Sequence, residues 1–443
     1  MKKIIYIFST ILAMPYFGFA GHIYDSLDIQ SSFNPVGSGA RAMGMSGAFI
    51  AVSDDATSAS WNPGGLIQLR ESEISIVGEI SNWSEKNLFE RDPDSSFNSN
   101  FSDQNINYLS LVSPIYEFNN RVIIFSINYQ HLFSFHRELD FRFREIEAHR
   151  RYVYYNEITQ DGYLSAIGIA CCFLITEYVS FGLTLNFWND FLVKNGWTQK
   201  IVQNGKLSII DPDYESDIDI YSQSILHNNY SFKGFNINLG FRWEISDKFV
   251  LGGVYKTPFT ADLDHKYTYK SSTSIGNPIL IEKHLHEELS MPKSYGLGIA
   301  YRFSDELTIS ADIYRTDWQD CILKDSEGEY SFITGIEIEK SNINPITQIR
   351  IGAEYLFINK KYEYSIPLRG GIFYDPSPAE GSPDDLYGFT VGSGFSKGHY
   401  NFDIAFQYRY GSDVGQSKIA VSGFSQKLQE YKIYSSFIYH FSD

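Results

Sequence analysis

The side chains best suited to binding a ligand in this sequence are bases within segments of alternating apolar and polar residues. In one such segment the alternation places Phe249, Leu251 and Tyr255 on one face and Lys256 on the other. The corresponding face of other segments carries five arginines: Arg242, Arg302, Arg350, Arg369 and Arg409. A cation next to apolar surface can bind the carboxylate of an amphipathic ligand, because an unpaired buried charge is costly.

Acidic residues on the same faces support a second interpretation. They are Glu244, Asp312, Glu354 and Asp403. Each acid would pair with a neighbouring base, so that an ion-pair network fills the interior, and this is the commoner arrangement for any single base. Both interpretations stay open here. The candidate ligand-binding cations are Lys256, Arg369, Arg350 and Arg242.

Other polar patterns indicate little chemistry. Asp54 and Asp55 would form a proton-linked or cation site, although such a pair more often caps a turn or helix. The acidic run at 211–219 lacks the glycine and the final glutamate of a calcium-binding loop, so it predicts no metal site. The motifs of serine hydrolases, zinc proteases and P-loop proteins are missing. We therefore predict no enzyme activity, no metal and no cofactor.

The alternating segments themselves predict the fold. About fourteen of them are bounded by turn residues, an even number typical of bacterial membrane barrels. Their centres lie near Ser75, Leu109, Ile127, Ile167, Leu183, Ile237, Val254, Leu297, Ile309, Ile351, Ile372, Val391, Ile404 and Phe437. The chain also contains 32 tyrosines and 34 phenylalanines, which suit aromatic girdles at the two membrane interfaces. The predicted fold is an all-β transmembrane antiparallel barrel.

Connections of two lengths alternate along the barrel segments. The long ones cover 82–103, 136–161, 190–222, 260–287, 318–345, 375–385 and 411–426. Outer-membrane barrels have short periplasmic turns and long extracellular loops, so an even strand number places both ends of the barrel in the periplasm. The predicted domains are a barrel at 71–443 and a preceding segment at 21–70.

The first residues predict export. Lys2 and Lys3 precede an apolar run, and Gly18 and Ala20 fit a cleavage site after residue 20. We therefore expect a cleaved signal peptide at 1–20 and location in the bacterial outer membrane. The net charge of −17 argues against nucleic-acid binding, because phosphate neutralisation needs an excess of lysine and arginine.

Small residues and turn formers dominate positions 34–69. Such a segment cannot build its own core, and we expect it to plug the barrel with short helices. It resembles the N-terminal hatch of the FadL/TodX family of outer-membrane transporters for long-chain fatty acids and aromatic hydrocarbons. The residues assigned to the hatch are Asn34, Pro35, Gly47, Phe49, Asp54, Asp55, Trp61, Asn62 and Pro63. Segments 292–318 and 368–378 are also similar to pieces of that family.

The resemblance implies passive uptake of hydrophobic small molecules, above all long-chain fatty acids, by a monomer whose hatch rearranges to release the ligand. It also implies that the third strand kinks inward and opens a lateral hole, although no glycine or proline marks a bulge between 121 and 161. PorV-like proteins have similar hatch motifs. A non-transporting barrel that serves as a secretion or assembly partner is therefore the alternative function.

Four phenylalanines near the third strand are candidates for ligand capture. They are Phe133, Phe135, Phe141 and Phe143, and basic residues lie among them. Apolar contacts with interleaved bases suit amphipathic acids or lipopolysaccharide. The same cluster would also form the aromatic rim of a loop.

Overall fold

The computed structural model describes residues 37–118, 121–147, 150–190, 193–209, 218–418 and 423–441. The predicted signal peptide and the hatch residues Asn34 and Pro35 lie outside them. Among the described residues, no helix is both long and apolar enough to cross a membrane. Their strands form one antiparallel sheet, which closes because β1 (Glu73–Phe89) pairs with β20 (Phe424–His440) along its whole length.

The barrel wall has fourteen strand positions, some of which hold two consecutive strands. Between β1 and β20 these are β2 (Phe97–Phe118), β3 (Arg121–Ser134) with β4 (Arg137–Glu147), β5 (Arg150–Thr176), β6 (Val179–Trp188) with β7 (Gly196–Ile209), β8 (Ile218–Ser246), β9 (Phe249–Lys256) with β10 (Phe259–Thr273), β11 (Ile279–Met291) with β12 (Ser294–Arg302), β13 (Leu307–Thr316), β16 (Ile346–Asn359), β17 (Tyr364–Tyr374), β18 (Tyr387–Lys397) and β19 (Tyr400–Val414). Two short strands, β14 (Ile322–Lys324) and β15 (Glu329–Ser331), lie in the connection after β13. The predicted all-β barrel is confirmed, and every predicted centre lies within a wall strand.

Side chains alternate between lipid and lumen as the sequence pattern predicts. On β1, Ile76 and Ile80 are exposed on the outside, whereas Ser75 and Glu79 are buried inside. Outward apolar residues remain exposed, and the exposed fraction of Ile127 reaches 59%, as a lipid-facing surface requires.

The long connections differ from the predicted loops. Strands β4, β5, β7, β8, β10 and β11 pair side by side and continue the sheet beyond the barrel, as an outer extension. Short turns join the strands at the opposite end, for example at 247–248 and 398–399. The extension forms because alternation continues in these segments and buries aromatic side chains on the inner face. The loops at the extracellular end are therefore largely β-structure.

The described part of the hatch, residues 37–70, contains helix α1 (Ala40–Gly44), helix α2 (Ser58–Trp61) and a 3₁₀-helix (Pro63–Gln68). Asn62 precedes the 3₁₀-helix and its side-chain oxygen accepts a hydrogen bond from the Gly64 amide at 3.0 Å. The Asn62 amide nitrogen donates to the carbonyls of Ile50, at 2.9 Å, and Phe241, at 2.8 Å. This one side chain therefore connects two parts of the hatch with the barrel wall.

Wall hydroxyl groups bind the hatch backbone around the circumference. Ser180 donates to the Gly64 carbonyl at 2.7 Å, and Ser310 donates to the Ala48 carbonyl at 2.6 Å. Further hydroxyl contacts are Tyr108 and Ser110 to the Ala56 carbonyl, Thr184 to the Ala59 carbonyl, Thr390 to the Gly44 carbonyl, and Ser436, which accepts from the Ala40 amide. A short plug without long helices has many unpaired backbone groups, so these bonds offset the cost of burying them.

Glycines in the wall allow this close approach. A Cβ atom on Gly182 would lie 2.2 Å from the Pro63 carbonyl oxygen, and one on Gly352 would lie 2.2 Å from that of Met45. Backbone atoms cannot yield as a flexible side chain would. Glycine at these two positions therefore leaves the space that the hatch backbone occupies against the wall.

Two β-bulges interrupt the wall at the third strand. The β2–β3 ladder ends at the pair Tyr108 and Gln130. At this level the register of the β1–β2 ladder skips Asn107 of β2, and the register of the β3–β5 ladder skips Leu132 of β3. Within the described chain, no ladder pairs 97–107 of β2 with the third strand. A bulge re-aims side chains without requiring glycine or proline, so it could not be recognised from the residue types of this segment.

Candidate ligand pocket in the barrel lumen

A cavity with one polar and one apolar end lies on the outer side of the hatch. Lys256 lies four residues along β9 from Gly252, which contacts the hatch backbone. The apolar lining comprises Leu132, Phe133, Trp188, Phe259, Met291 and Trp318. The polar lining includes Lys256, Asn186, Asn236, Asn238, Ser294 and Tyr314. This arrangement suits a molecule with a polar head and an apolar chain.

Neighbouring strands hold the polar end in place. Lys256 is the direct cross-strand partner of Asn238 on one side and of Ser294 on the other. Its ammonium nitrogen lies 5.8 Å from the centre of the Tyr314 ring, and the Tyr314 and Ser294 hydroxyls are 2.8 Å apart. The Lys256 ammonium therefore lies among hydrogen-bonding groups at a fixed position.

The asparagines form a short chain of hydrogen bonds. The Trp188 indole donates to the side-chain oxygen of Asn236 at 2.9 Å. The side-chain nitrogen of Asn236 donates in turn to the side-chain oxygen of Asn238 at 3.1 Å. The side-chain oxygen of Asn186 has no hydrogen-bond partner among the described residues. Sequence reasoning missed these asparagines. Their shared inward face, at Asn186 on β6 and at Asn236 and Asn238 on β8, was the signal that could have identified them.

The apolar end of the cavity continues into a buried group that we call the inner apolar cluster. Its main members are Phe133, Phe135, Leu164, Trp188, Trp197, Phe232, Leu263, Leu289, Met291, Trp318, Phe332 and Ile333. The cavity volume of about 70 Å³ accommodates only about five water-sized groups, so a long chain must displace side chains of this cluster. Two of the predicted capture residues, Phe133 and Phe135, belong to it.

The other two, Phe141 and Phe143, lie further out, in a group that we call the outer aromatic cluster. Phe141 stacks on Phe97 with ring centres 5.3 Å apart. The ring centres of Phe89 and Phe424, in the same group, are 5.2 Å apart. The structure thus separates the four phenylalanines into two inward-facing groups. Their capture of ligand stays a prediction.

The remaining predicted cations contact acids. Arg369 donates to Glu354 and to Asp403, each at 2.6 Å. Arg41 of the hatch donates to the same Glu354 at 2.9 Å and to Asp54 at 2.6 Å. Glu354 therefore joins the hatch to the wall. This role of Arg41 could not be seen in the sequence, since its partner lies 313 positions away.

Arg350 and Arg242 are also in ion pairs. Arg350 donates to the Ser46 carbonyl at 2.8 Å and lies 3.5 Å from Asp375. Arg242 lies 2.5 Å from Glu244 and lines a polar cavity on the periplasmic side of the hatch. For these arginines ligand binding stays a prediction, and only Lys256 among the four candidates lines the two-ended cavity.

The other predicted hatch residues pack inside the barrel. The Phe49 and Trp61 rings are fully buried with centres 5.8 Å apart. Asp312 of β13 accepts the Phe49 amide at 2.7 Å. Gly47 has φ of +73°, a backbone conformation that favours glycine. Pro63 occupies the start of the 3₁₀-helix, where its missing N–H is not needed.

We expect the stability of the hatch to depend on pH, because the Asp55 carboxyl group is buried in it. Its side chain accepts the Thr57 amide at 2.8 Å and the Thr57 hydroxyl at 2.6 Å. Burial raises the pKa of Asp55 from 3.8 to about 6, although nearby Arg41 opposes this shift. The folded hatch therefore holds the proton more tightly than the unfolded chain, and stability falls by up to about 3 kcal/mol as pH rises from about 4 to 6.

Thermal unfolding of the wild type and Asp55→Asn across this pH range measures the effect. Asparagine keeps an oxygen that accepts the Thr57 bonds and does not titrate. The variant should show a smaller decrease in stability between pH 4 and 7. An equal decrease in both proteins would assign the pH dependence to other groups.

Comparison with known proteins adds evidence of a different kind. A family model described as outer membrane protein transport protein (OMPP1/FadL/TodX) matches residues 32–433. A search of curated proteins found no significant match.

Three solved structures show the similarity in fold. A Pseudomonas aeruginosa FadL homologue is 14% identical with a TM-score of 0.61, the Pseudomonas putida toluene transporter TodX is 15% identical with 0.57, and the Ralstonia pickettii toluene transporter TbuX is 13% identical with 0.52. Each comparison covers 93% of this chain and 100% of the other.

Proposed function

We propose a transport function from one premise: this chain belongs to the OMPP1/FadL/TodX family of outer membrane transport proteins. The transported molecules are amphipathic acids, above all long-chain fatty acids. The protein acts as a monomer in the outer membrane, after removal of its signal peptide. The single observation that supports this substrate class is the cavity in which Lys256 and three asparagines form the polar end.

The polar end favours an acid over an uncharged hydrocarbon. A hydrocarbon in this cavity would cover Lys256 and the asparagines without offering them hydrogen bonds, and such desolvation is unfavourable. A carboxylate would accept charge-assisted hydrogen bonds from the ammonium group and from an asparagine amide. The toluene transporters TodX and TbuX share the fold and are named for an uncharged hydrocarbon, so the experiment compares an acid with an uncharged ligand of the same chain length.

The arrangement of apolar groups gives the route. A ligand enters at the outer aromatic cluster, where lipopolysaccharide surrounds the barrel, and then reaches the inner apolar cluster. Its head binds at Lys256 on the outer side of the hatch. Movement of the hatch, or passage through the interrupted wall at the third strand, releases it. The process is passive, because it needs only diffusion along a concentration gradient.

Replacing Lys256 with methionine tests the head-group site. Methionine keeps an unbranched chain and removes the charge, so oleate binding by the purified protein should weaken about 10- to 100-fold, as expected for a hydrogen bond to a charged group. Binding of methyl oleate, which has the same chain without the charge, should change less than threefold. Fluorescence titration in detergent measures both probes.

Lys248→Met is the matched control, because Lys248 lies in an exposed turn at the periplasmic end. It should leave both affinities unchanged. An equal loss of oleate and methyl oleate binding in Lys256→Met would contradict the head-group role. Failure of the wild type to bind either probe would contradict the transport of hydrophobic molecules.

A further inference from the structure

A second cavity lies at the end of the β2–β3 ladder, and its lining is mainly polar. Its residues include Glu79, Asp103, Asn107, His131, Gln407 and Lys432. Both wall bulges contribute, since Asn107 is the bulge residue of β2 and His131 precedes Leu132, the bulge residue of β3. A strongly polar cavity is unexpected on the route of a purely apolar molecule.

Several buried polar atoms in this cavity have no hydrogen-bond partner among the residues that the structure describes. They are the side-chain oxygens of Asn105, Asn107 and Gln407 and the Nε2 atom of His131. Asn107, Gln407 and His131 are more than nine-tenths buried. Native proteins leave few such atoms unsatisfied, so each one indicates a missing polar partner.

The hydrogen bonds that are present fix the chemistry of this partner. The Asn107 amide nitrogen donates to Glu79 at 3.0 Å, so its oxygen is oriented as an acceptor for another group. Lys432 lies 3.1 Å from Glu79, which keeps the acid paired. Among these unpaired atoms, the Asn107 amide oxygen needs a donor and the His131 imidazole nitrogen can donate or accept. A hydroxyl group can satisfy both at once, because it has one donor and two acceptor positions.

Leu132 connects this cavity with the Lys256 cavity. It lines both of them, and the bulge at Leu132 allows its side chain to stand between the two. A chain bound with its carboxylate at Lys256 can therefore extend past Leu132 and bring a second polar group beside Asn107 and His131. The cavity volume of about 60 Å³ suits a small group and not a second chain.

We propose that this protein carries fatty acids with a hydroxyl group on the chain, the carboxylate binding at Lys256 and the hydroxyl at Asn107 and His131. The inference rests on the proposed transport of amphipathic acids and narrows it to a substrate class. Unmodified fatty acids still bind at Lys256, but they leave the polar cavity without a partner from the ligand.

Titration of the purified full-length protein with stearate and with a series of hydroxystearates tests this inference. The series places the hydroxyl at successive chain positions, because the cavity should select a narrow range of them. We expect at least one hydroxystearate to bind about tenfold more tightly than stearate. In Asn107→Ala and in His131→Phe that preference should fall below about twofold, while stearate affinity stays within threefold of the wild type.

Ser102→Ala is the matched control, because Ser102 is exposed on the same strand as Asn107 and should leave the preference intact. Two independent variants keep the test decisive if one of them does not fold. If every hydroxystearate binds no better than stearate, or if both cavity variants keep the preference, the hydroxyl site does not exist. If stearate and all hydroxystearates fail to bind the wild type, the transport proposal itself is wrong.

Discussion

Gly352→Ala is expected to displace the hatch from the barrel wall. The added Cβ atom would lie 2.2 Å from the Met45 carbonyl oxygen and 2.8 Å from the Met45 carbonyl carbon. Both contacts involve backbone that is already fixed, because Arg350 binds the carbonyl of the next residue, Ser46, at 2.8 Å. Overpacking of this kind destabilises by about 3 kcal/mol. Small polar solutes should then enter proteoliposomes faster, as a swelling assay would report.

Gly370→Ala is the control for this substitution. Gly370 lies on the adjacent strand β17, and its added Cβ would meet only the Thr390 carbonyl oxygen at an ordinary 3.7 Å. The control should keep wild-type swelling rates and wild-type protease resistance of the hatch. Equal leakage from both variants would show that any alanine in the wall disturbs the barrel, and that contact with the hatch is not the cause.

Glu354→Ala should have the second large effect, because it removes the carboxylate that Arg41 and Arg369 share. Two guanidinium groups would then face each other in a largely buried site with one acceptor fewer. Breaking a buried ion pair by removing one partner costs about 3–5 kcal/mol. We expect a lower unfolding temperature and rapid cleavage of the hatch by added protease.

The exposed Glu71 provides the comparison, and Glu71→Ala should unfold as the wild type does. A double-mutant cycle with Arg41→Met separates the hatch contact from the wall contact. The coupling between Arg41 and Glu354 should be favourable. Additive effects of the two substitutions would mean that this ion pair does not hold the hatch.

The barrel could be predicted from sequence because each strand has two chemically different environments. The exposed Ile76 and the buried Ser75 alternate for this reason, and the same rule located Lys256 on the inner face. Alternation gives the face of a residue but not its height in the barrel. For that reason, Lys256 could be assigned to the lumen, whereas its neighbours Asn238 and Tyr314 could not be assigned to its pocket.

The interruption of the barrel wall at the third strand could not be predicted from the sequence. This interruption depends on where ladders end on β2 and β3, and no single segment contains that information. The bulges at Asn107 and Leu132 use ordinary residues, so composition does not reveal them. The outer extension was underestimated for a related reason: turn residues suggested loops, but the aromatic inner face around Phe141 stabilises paired strands.

The hydroxyl contacts between hatch and wall have a consequence for biogenesis. The hatch precedes β1 in the chain, yet its bonding partners extend from Tyr108 and Ser110 on β2 to Ser436 on β20, the strand that completes the cylinder. Seating of the plug and closure of the sheet are therefore coupled, because the complete set of these bonds forms only when the last strand has docked. Joining of the first and last strands then completes both the lipid-facing surface and the contacts that hold the plug.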